Sequence, residues 1–129
     1  AFAFDVASGA TKELQTITTL PSKFVGMNTT AEIRVHPSGQ FIYASNRGHD
    51  SIAVFGVERA SGKLSARGQT STGGSTPRNF NVEPSGKYLI VANQKSDSVV
   101  TFSIDGKTGA LKQVGEPLSV PVPVCVLFP

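Results

Sequence analysis

Tryptophan is absent from this chain of 129 residues, cysteine and methionine occur once each, and Phe, Trp and Tyr together make up 8%. Without tryptophan the Trp-Asp signature of WD40 blades cannot be written. A single thiol, Cys125 in the apolar run VCVLF, excludes an intrachain disulfide and is expected as a buried free thiol of a reducing compartment. No apolar run of membrane-spanning length and no secretory signal pattern is visible, so no membrane partner is expected; a segment ahead of Ala1 could carry a signal, which leaves the location open, with the cytoplasm as the expectation. No segment sustains apolar residues at i, i+3 and i+4, which excludes a helical solenoid. Common chemical templates are absent as well: no G-x-S-x-G elbow, no H-E-x-x-H, no G-x-x-x-x-G-K-[ST] and no Cys/His metal spacing. The net charge is only +3, with Lys and Arg scattered along the chain, which argues against nucleic acid and is compatible with a small anionic ligand.

What the sequence does contain is a repeat. From Glu32 to Phe55, EIRVHPSGQFIYASNRGHDSIAVF reads as three strands, EIRV, FIYAS and SIAVF, separated by the turn HPSG and the polar loop NRGHDS; a fourth strand begins near Leu64. Shifting the chain by 47 residues lays Pro37-Ser38-Gly39 on Pro84-Ser85-Gly86, Asn46 on Asn93, Asp50-Ser51 on Asp97-Ser98 and Phe55 on Phe102. Gly62, Leu64 and Gly68 then fall on Gly109, Leu111 and Gly115. Phe4–Leu14 matches Phe55–Leu64 with one extra turn residue, and Pro123–Phe128 matches Pro77–Val82. A four-strand unit with a period of about 40 to 50 residues is a β-propeller blade.

The expected fold is therefore all-β, with about two and a half blades of four antiparallel strands. Residues 1–20 give the outer two strands of one blade, 30–72 and 77–119 give complete blades, and 123–129 give an inner strand. Ala1–Phe4 already matches a strand, Ile52–Phe55, and no initiator Met is present, so the chain is expected to be the C-terminal part of a longer propeller. Its expected partners are the N-terminal blades of that propeller, because repeat units bury their faces only against neighbours.

Blade topology sorts the loops by rim. If the inner strands run downward, the Pro-Ser-Gly turns lie below, while NRGHDS, NQKSDS and the connections leading into each inner strand gather above. Glu32, Arg47, His49, Arg78, Asn79, Gln94 and Lys95 then share the upper rim, with the long connection 21–29 beside them. Positions common to both repeats are turn formers, caps and core, so candidate site residues are those that break the repeat. Glu32 faces Asn79 in the alignment, Ala31 faces Arg78, Arg47 faces Gln94, and His49 faces Ser96. A structural reading stands beside each: Arg47 and His49 as solvated loop residues, Glu32 as an ion-pair partner of Arg47. His36 aligns with Glu83 at a lower turn, which sets it apart from catalysis. Asn28-Thr29-Thr30 fits a glycosylation sequon, a pattern short enough to arise by chance.

AEIRVHPSGQFIYASNRGHDSIAVF, TPRNFNVEPSGKYLIVANQKSDSVVTF and the terminal VPVPVCVLF together resemble the C-terminal part of the seven-bladed 6-phosphogluconolactonase family, which includes the fungal carboxy-cis,cis-muconate cyclase. The resemblance covers nearly the whole chain and is carried most specifically by E-I-x-V-H-P-x-G, S-N-R-G-H-D-S-I-A-V-F and P-R-N-F. It implies hydrolysis of 6-phosphogluconolactone in the pentose phosphate route, a small anionic sugar lactone as substrate, and no metal or organic cofactor. The implied site has Glu32, Arg47 and His49 in catalysis and Arg78, Asn79 and Gln94 in substrate binding. Lactone hydrolysis needs a base for water, charge to stabilise an oxyanion and an anchor for phosphate. Glu32 or His49 suits the first role, and the forks of Arg47 and Arg78 suit the others. The same residue types would serve a muconate lactonising cyclase, and a non-enzymatic YVTN-type binding propeller is a third reading.

Overall fold

A computed structural model describes residues 1–129 as ten strands and one short 3-10 turn. The strands are β1 (Phe2–Phe4), β2 (Thr11–Glu13), β3 (Thr29–Val35), β4 (Phe41–Arg47), β5 (Ser51–Val57), β6 (Leu64–Ser71), β7 (Pro77–Val82), β8 (Tyr88–Asn93), β9 (Ser98–Ile104) and β10 (Leu111–Ser119). Every pairing is antiparallel; β3-β4-β5-β6 and β7-β8-β9-β10 form two four-stranded meanders, and β1 pairs with β2. β3 begins at Thr29, before the expected Glu32, because Thr29 and Thr30 pair with Arg47 and Asn46. That pairing draws Asn46 and Arg47 into β4 and shortens the loop read as NRGHDS to Gly48, His49 and Asp50.

Strand parity explains why FIYAS and SIAVF read as nearly unbroken apolar runs: both faces of this blade are covered. On one face Phe41, Tyr43, Ile52 and Val54 pack against Phe80, Val82, Leu89, Val91, Val100 and Phe102 of the next blade. On the other, Ala44, Ala53 and Phe55 meet Ile17, Ile42 and Leu64. Phe55 pairs across the ladder with Ile42 and Phe102 with Leu89, so both buried phenylalanines occupy the same place in successive blades.

The repeated polar residues fasten the upper rim. Asn46 Nδ2 donates to Thr19 O (3.0 Å) and Asn93 Nδ2 to Thr72 O (3.1 Å), each holding the end of the preceding blade. Asp50 Oδ1 accepts from Thr76 N (2.9 Å) and Asp97 Oδ1 from Val122 N (2.8 Å), tying the connection that follows.

The lower turns show why His36 and Glu83 align. Ser38 N donates to His36 Nδ1 (3.1 Å), and Ser85 N donates to Glu83 Oε2 (2.9 Å), so the two side chains cap the same turn. The other nitrogen of His36 then carries its proton to Gly86 O at 2.8 Å, joining the blades. A Cβ on Gly86 would lie 2.7 Å from that ring, at a φ of +76°, so both the approach and the conformation require glycine. The Ser85 hydroxyl and backbone N–H groups hold the Glu83 carboxyl down at about 2. With the folded value depressed, this cap contributes stability above the ordinary value of 4.5, and the contribution fades as pH falls from there through about 2. Glu83→Gln should flatten the fall of the urea midpoint across that window; an unchanged slope would show that the cap is not linked to folding.

Two expectations need correction. Residues 121–129 make no ladder and form no strand; Asn79 and Asn81 side chains hold Val126 instead, through Val126 N to Asn79 Oδ1 (2.8 Å) and Asn81 Nδ2 to Val126 O (3.2 Å). Cys125, expected to be buried, is exposed, because no paired strand lies alongside to cover it. No helix is long and apolar enough to cross a membrane.

Candidate functional site

Antiparallel winding brings the β4–β5 and β8–β9 tips and the segments leading into β3 and β7 to one end of the blades. Between them lies an open groove of about 550 Å³. Met27, Asn28 and Thr29 line it from the 21–29 connection; Arg47, Gly48 and Asp50 from the β4–β5 tip; Ser75, Thr76 and Arg78 from the lead into β7; Gln94 and Lys95 from the 3-10 turn Gln94–Ser96. Met27 is the one hydrophobic residue among these eleven.

The groove is electropositive. Arg47 is half-buried, its Nη2 donates to Thr30 O (3.2 Å), and its enclosed Nε has no partner. Arg78 is exposed and reaches Gln94 Oε1 at 3.4 Å, spanning β7 and the 3-10 turn. Asp50 is the only acid on the wall, and its Oδ1 accepts the backbone N–H groups of Gly48 (3.2 Å) and Thr76 (2.9 Å). Arg47, Arg78 and Lys95 therefore face one space with a single carboxylate, already engaged by the backbone.

Glu32 and Asn79 meet each other farther along the inner strands. Glu32 lies three residues beyond the groove residue Thr29 on β3, about 10 Å at strand spacing. Its carboxylate accepts from Asn79 Nδ2, Arg34 Nη2 (3.3 Å) and Ile33 N (3.0 Å). Glu32, Asn79 and Val126 stand 47 residues apart and bond in succession, so they mark one level on consecutive inner segments. The ion-pair partner of Glu32 is Arg34, not Arg47. Arg34 was not among the sequence candidates, yet its i+2 position on β3 places it on the same face as Glu32.

His49 is packed apart from the groove. Its ring stands edge-on to Phe24 with centroids 5.0 Å apart, its Nδ1 lies 2.7 Å from Ser51 Oγ, and its backbone N–H donates to Asn28 Oδ1 (3.0 Å). Asn46 Nδ2 donates to the same Ser51 oxygen (3.2 Å), so the Ser51 hydroxyl links His49 to the Asn46 side chain. The Asn28 amide of the sequon is itself engaged, donating to Asn46 Oδ1 at 3.1 Å. Of the six sequence candidates, Arg47, Arg78 and Gln94 thus line one groove, Glu32 and Asn79 pair beyond it, and His49 supports the β4–β5 tip. No group of three His, Cys, Asp or Glu side chains is arranged to hold a metal ion.

The family described as "Lactonase, 7-bladed beta-propeller" matches residues 1–128. The chain is 38% identical over 128 residues to the 6-phosphogluconolactonase of Bacillus subtilis strain 168, a match covering 99% of this chain and 37% of that protein. Among solved structures, the Pseudomonas aeruginosa periplasmic gluconolactonase superposes with a TM-score of 0.88 at 32% identity, covering 96% of this chain and 34% of that one. A protein from Lactobacillus plantarum superposes with a TM-score of 0.91 at 34% identity, covering 96% of this chain and 36% of that one. The chain thus spans little more than a third of the length of these relatives.

Proposed function

The chain belongs to the seven-bladed β-propeller lactonase family, and on that footing we propose that, within a closed propeller, it supplies the anion-binding side of the active site of a hydrolase for 6-phosphogluconolactone. The observation that carries this reading is the groove itself: Arg47 and Arg78, from adjacent blades, face one polar space above Glu32. A phosphate held by the two guanidinium forks would let the lactone ring extend down the inner strands toward the Glu32–Asn79 pair.

Glu32, oriented by Asn79 and Arg34, is the base. It takes a proton from water as the water oxygen bonds to the lactone carbonyl carbon, and the carbonyl oxygen becomes an oxyanion. Collapse of that intermediate breaks the ring C–O bond, and the proton on Glu32 passes to the departing alkoxide, giving the hydroxy acid. Asn79 holds the carboxylate in place, and Gln94 positions Arg78. The Bacillus and Pseudomonas relatives both bear names for lactone hydrolysis, which favours this reaction over cyclisation. The nearly all-polar wall favours a small anion over a protein partner. A phosphate monoester carries close to two negative charges and does not cross a bilayer unaided, which favours the cytoplasm as the proposed location.

In the closed propeller, Arg47→Ala and Arg78→Ala should each remove a charge-assisted contact worth about 1.5–3 kcal/mol and lower kcat/KM roughly tenfold to a hundredfold. His36→Ala, on the opposite rim, should leave kcat unchanged in the folded fraction. Full activity in both arginine variants alongside an inactive His36 variant would dismantle the groove assignment.

A further inference from the structure

We propose that Lys95 is a specificity-determining residue that makes this site prefer a phosphorylated lactone to the uncharged one; the inference rests on the lactonase reading above. Lys95 aligns with Gly48, 47 residues earlier. At Gly48 the chain has a φ of +124°, and a Cβ there would collide with Met27 O, so that blade can carry no side chain at this position. The 3-10 turn in the next blade can. Its backbone is pinned where Gln94 N donates to Thr76 O (2.9 Å) and Lys95 N to Ser75 O (3.1 Å), which fixes the root of Lys95 on the groove wall. The side chain is exposed and enters no ion pair; the one salt bridge of the chain joins Arg34 to Glu32.

Three cations therefore converge from three elements on a groove whose single acid, Asp50, already accepts two backbone N–H groups. A neutral sugar lactone has no use for three positive charges, whereas a phosphate monoester carries close to two negative charges at neutral pH. The arginine forks suit oriented contacts to phosphate oxygens. An ammonium on a flexible stem acts as a point charge and supplies the remaining neutralisation without demanding one geometry. Lys95 should accordingly act on discrimination between substrates more than on the chemical step.

The test compares wild type, Lys95→Met, Lys95→Glu and Lys95→Arg in the closed propeller. One readout is kcat/KM on 6-phosphogluconolactone and on glucono-δ-lactone; the second is calorimetric binding of 6-phosphogluconate and of gluconate. Lys95→Met should lower kcat/KM for the phosphorylated lactone and affinity for 6-phosphogluconate by about tenfold, with the unphosphorylated compounds within twofold. Lys95→Glu should go further, and Lys95→Arg should restore most of the loss. Equal effects on both lactones and both acids, or none on either, would overturn the role of Lys95 while leaving lactone hydrolysis intact. Selective loss of 6-phosphogluconate binding in a protein that opens neither lactone would instead overturn the lactonase reading and keep Lys95 as a phosphate-binding residue.

Discussion

Glu32→Gln is expected to lower kcat by about 10²- to 10⁴-fold, the range associated with a positioned general base. The amide keeps the shape of the side chain and can still accept a hydrogen bond from Asn79 or Arg34, so the loss is chemical rather than structural. It has a signature that a purely structural role would not give. The active form of the wild-type base is the carboxylate, so its protonation produces the acid limb of the pH–kcat profile, and that limb should vanish in the variant. His49→Gln is the informative contrast. Since His49 packs against Phe24 and Ser51, its loss should loosen the β4–β5 tip while the acid limb survives. An acid limb lost in the His49 variant and retained in the Glu32 variant would make His49 the base.

Phe80→Ala should carry the largest stability cost, about 3–5 kcal/mol. Phe80 has 0% relative exposure and lies in the cluster formed by the facing surfaces of the two complete blades. Because the blades share this core, truncation should leave a cavity between them that neither sheet can close by itself. A urea titration of the closed propeller would read the change in midpoint. A loss below about 1 kcal/mol would mean that the interblade surface can collapse around the gap, contrary to its close packing.

The architecture was legible because a blade must repeat what holds it together. Asn46 and Asn93 fasten the end of the preceding blade, Asp50 and Asp97 fasten the connection that follows, and Phe55 and Phe102 fill the same place in the core. Each recurs 47 residues on, so self-comparison finds them without coordinates. Departures from the repeat point to Arg47 and Arg78, the family resemblance adds Gln94, and these three line the groove. Rim sorting could not tell how far along an inner strand a side chain lies. It therefore set Glu32 and Asn79 on the upper rim beside Arg47 and Arg78, although they pair with each other along the inner strands. Nor could it see that His49 turns toward Phe24, a contact set by the path of the 21–29 connection.

Arg34 also breaks the repeat, aligning with Asn81, but it lies along β3 beyond the upper rim that defined the candidates, two positions from its partner Glu32. Lys95 was placed on the rim without a role; its significance depends on the wall opposite it, which sequence spacing does not describe. The terminal segment misled for a related reason. Pro123–Phe128 carries the pattern of an inner strand, but a ladder requires a neighbouring backbone, and here Asn79 and Asn81 side chains hold it instead. The exposure of Cys125 follows from the same arrangement.

The most direct measurement is the rate of ring opening of 6-phosphogluconolactone, followed by proton release at constant pH, with the closed propeller carrying this chain and with its Arg47→Ala/Arg78→Ala double variant. The predicted result is turnover well above the spontaneous rate in the wild type, collapsing in the double variant while the fold persists. Ring opening at the spontaneous rate in a properly folded wild-type protein would contradict it.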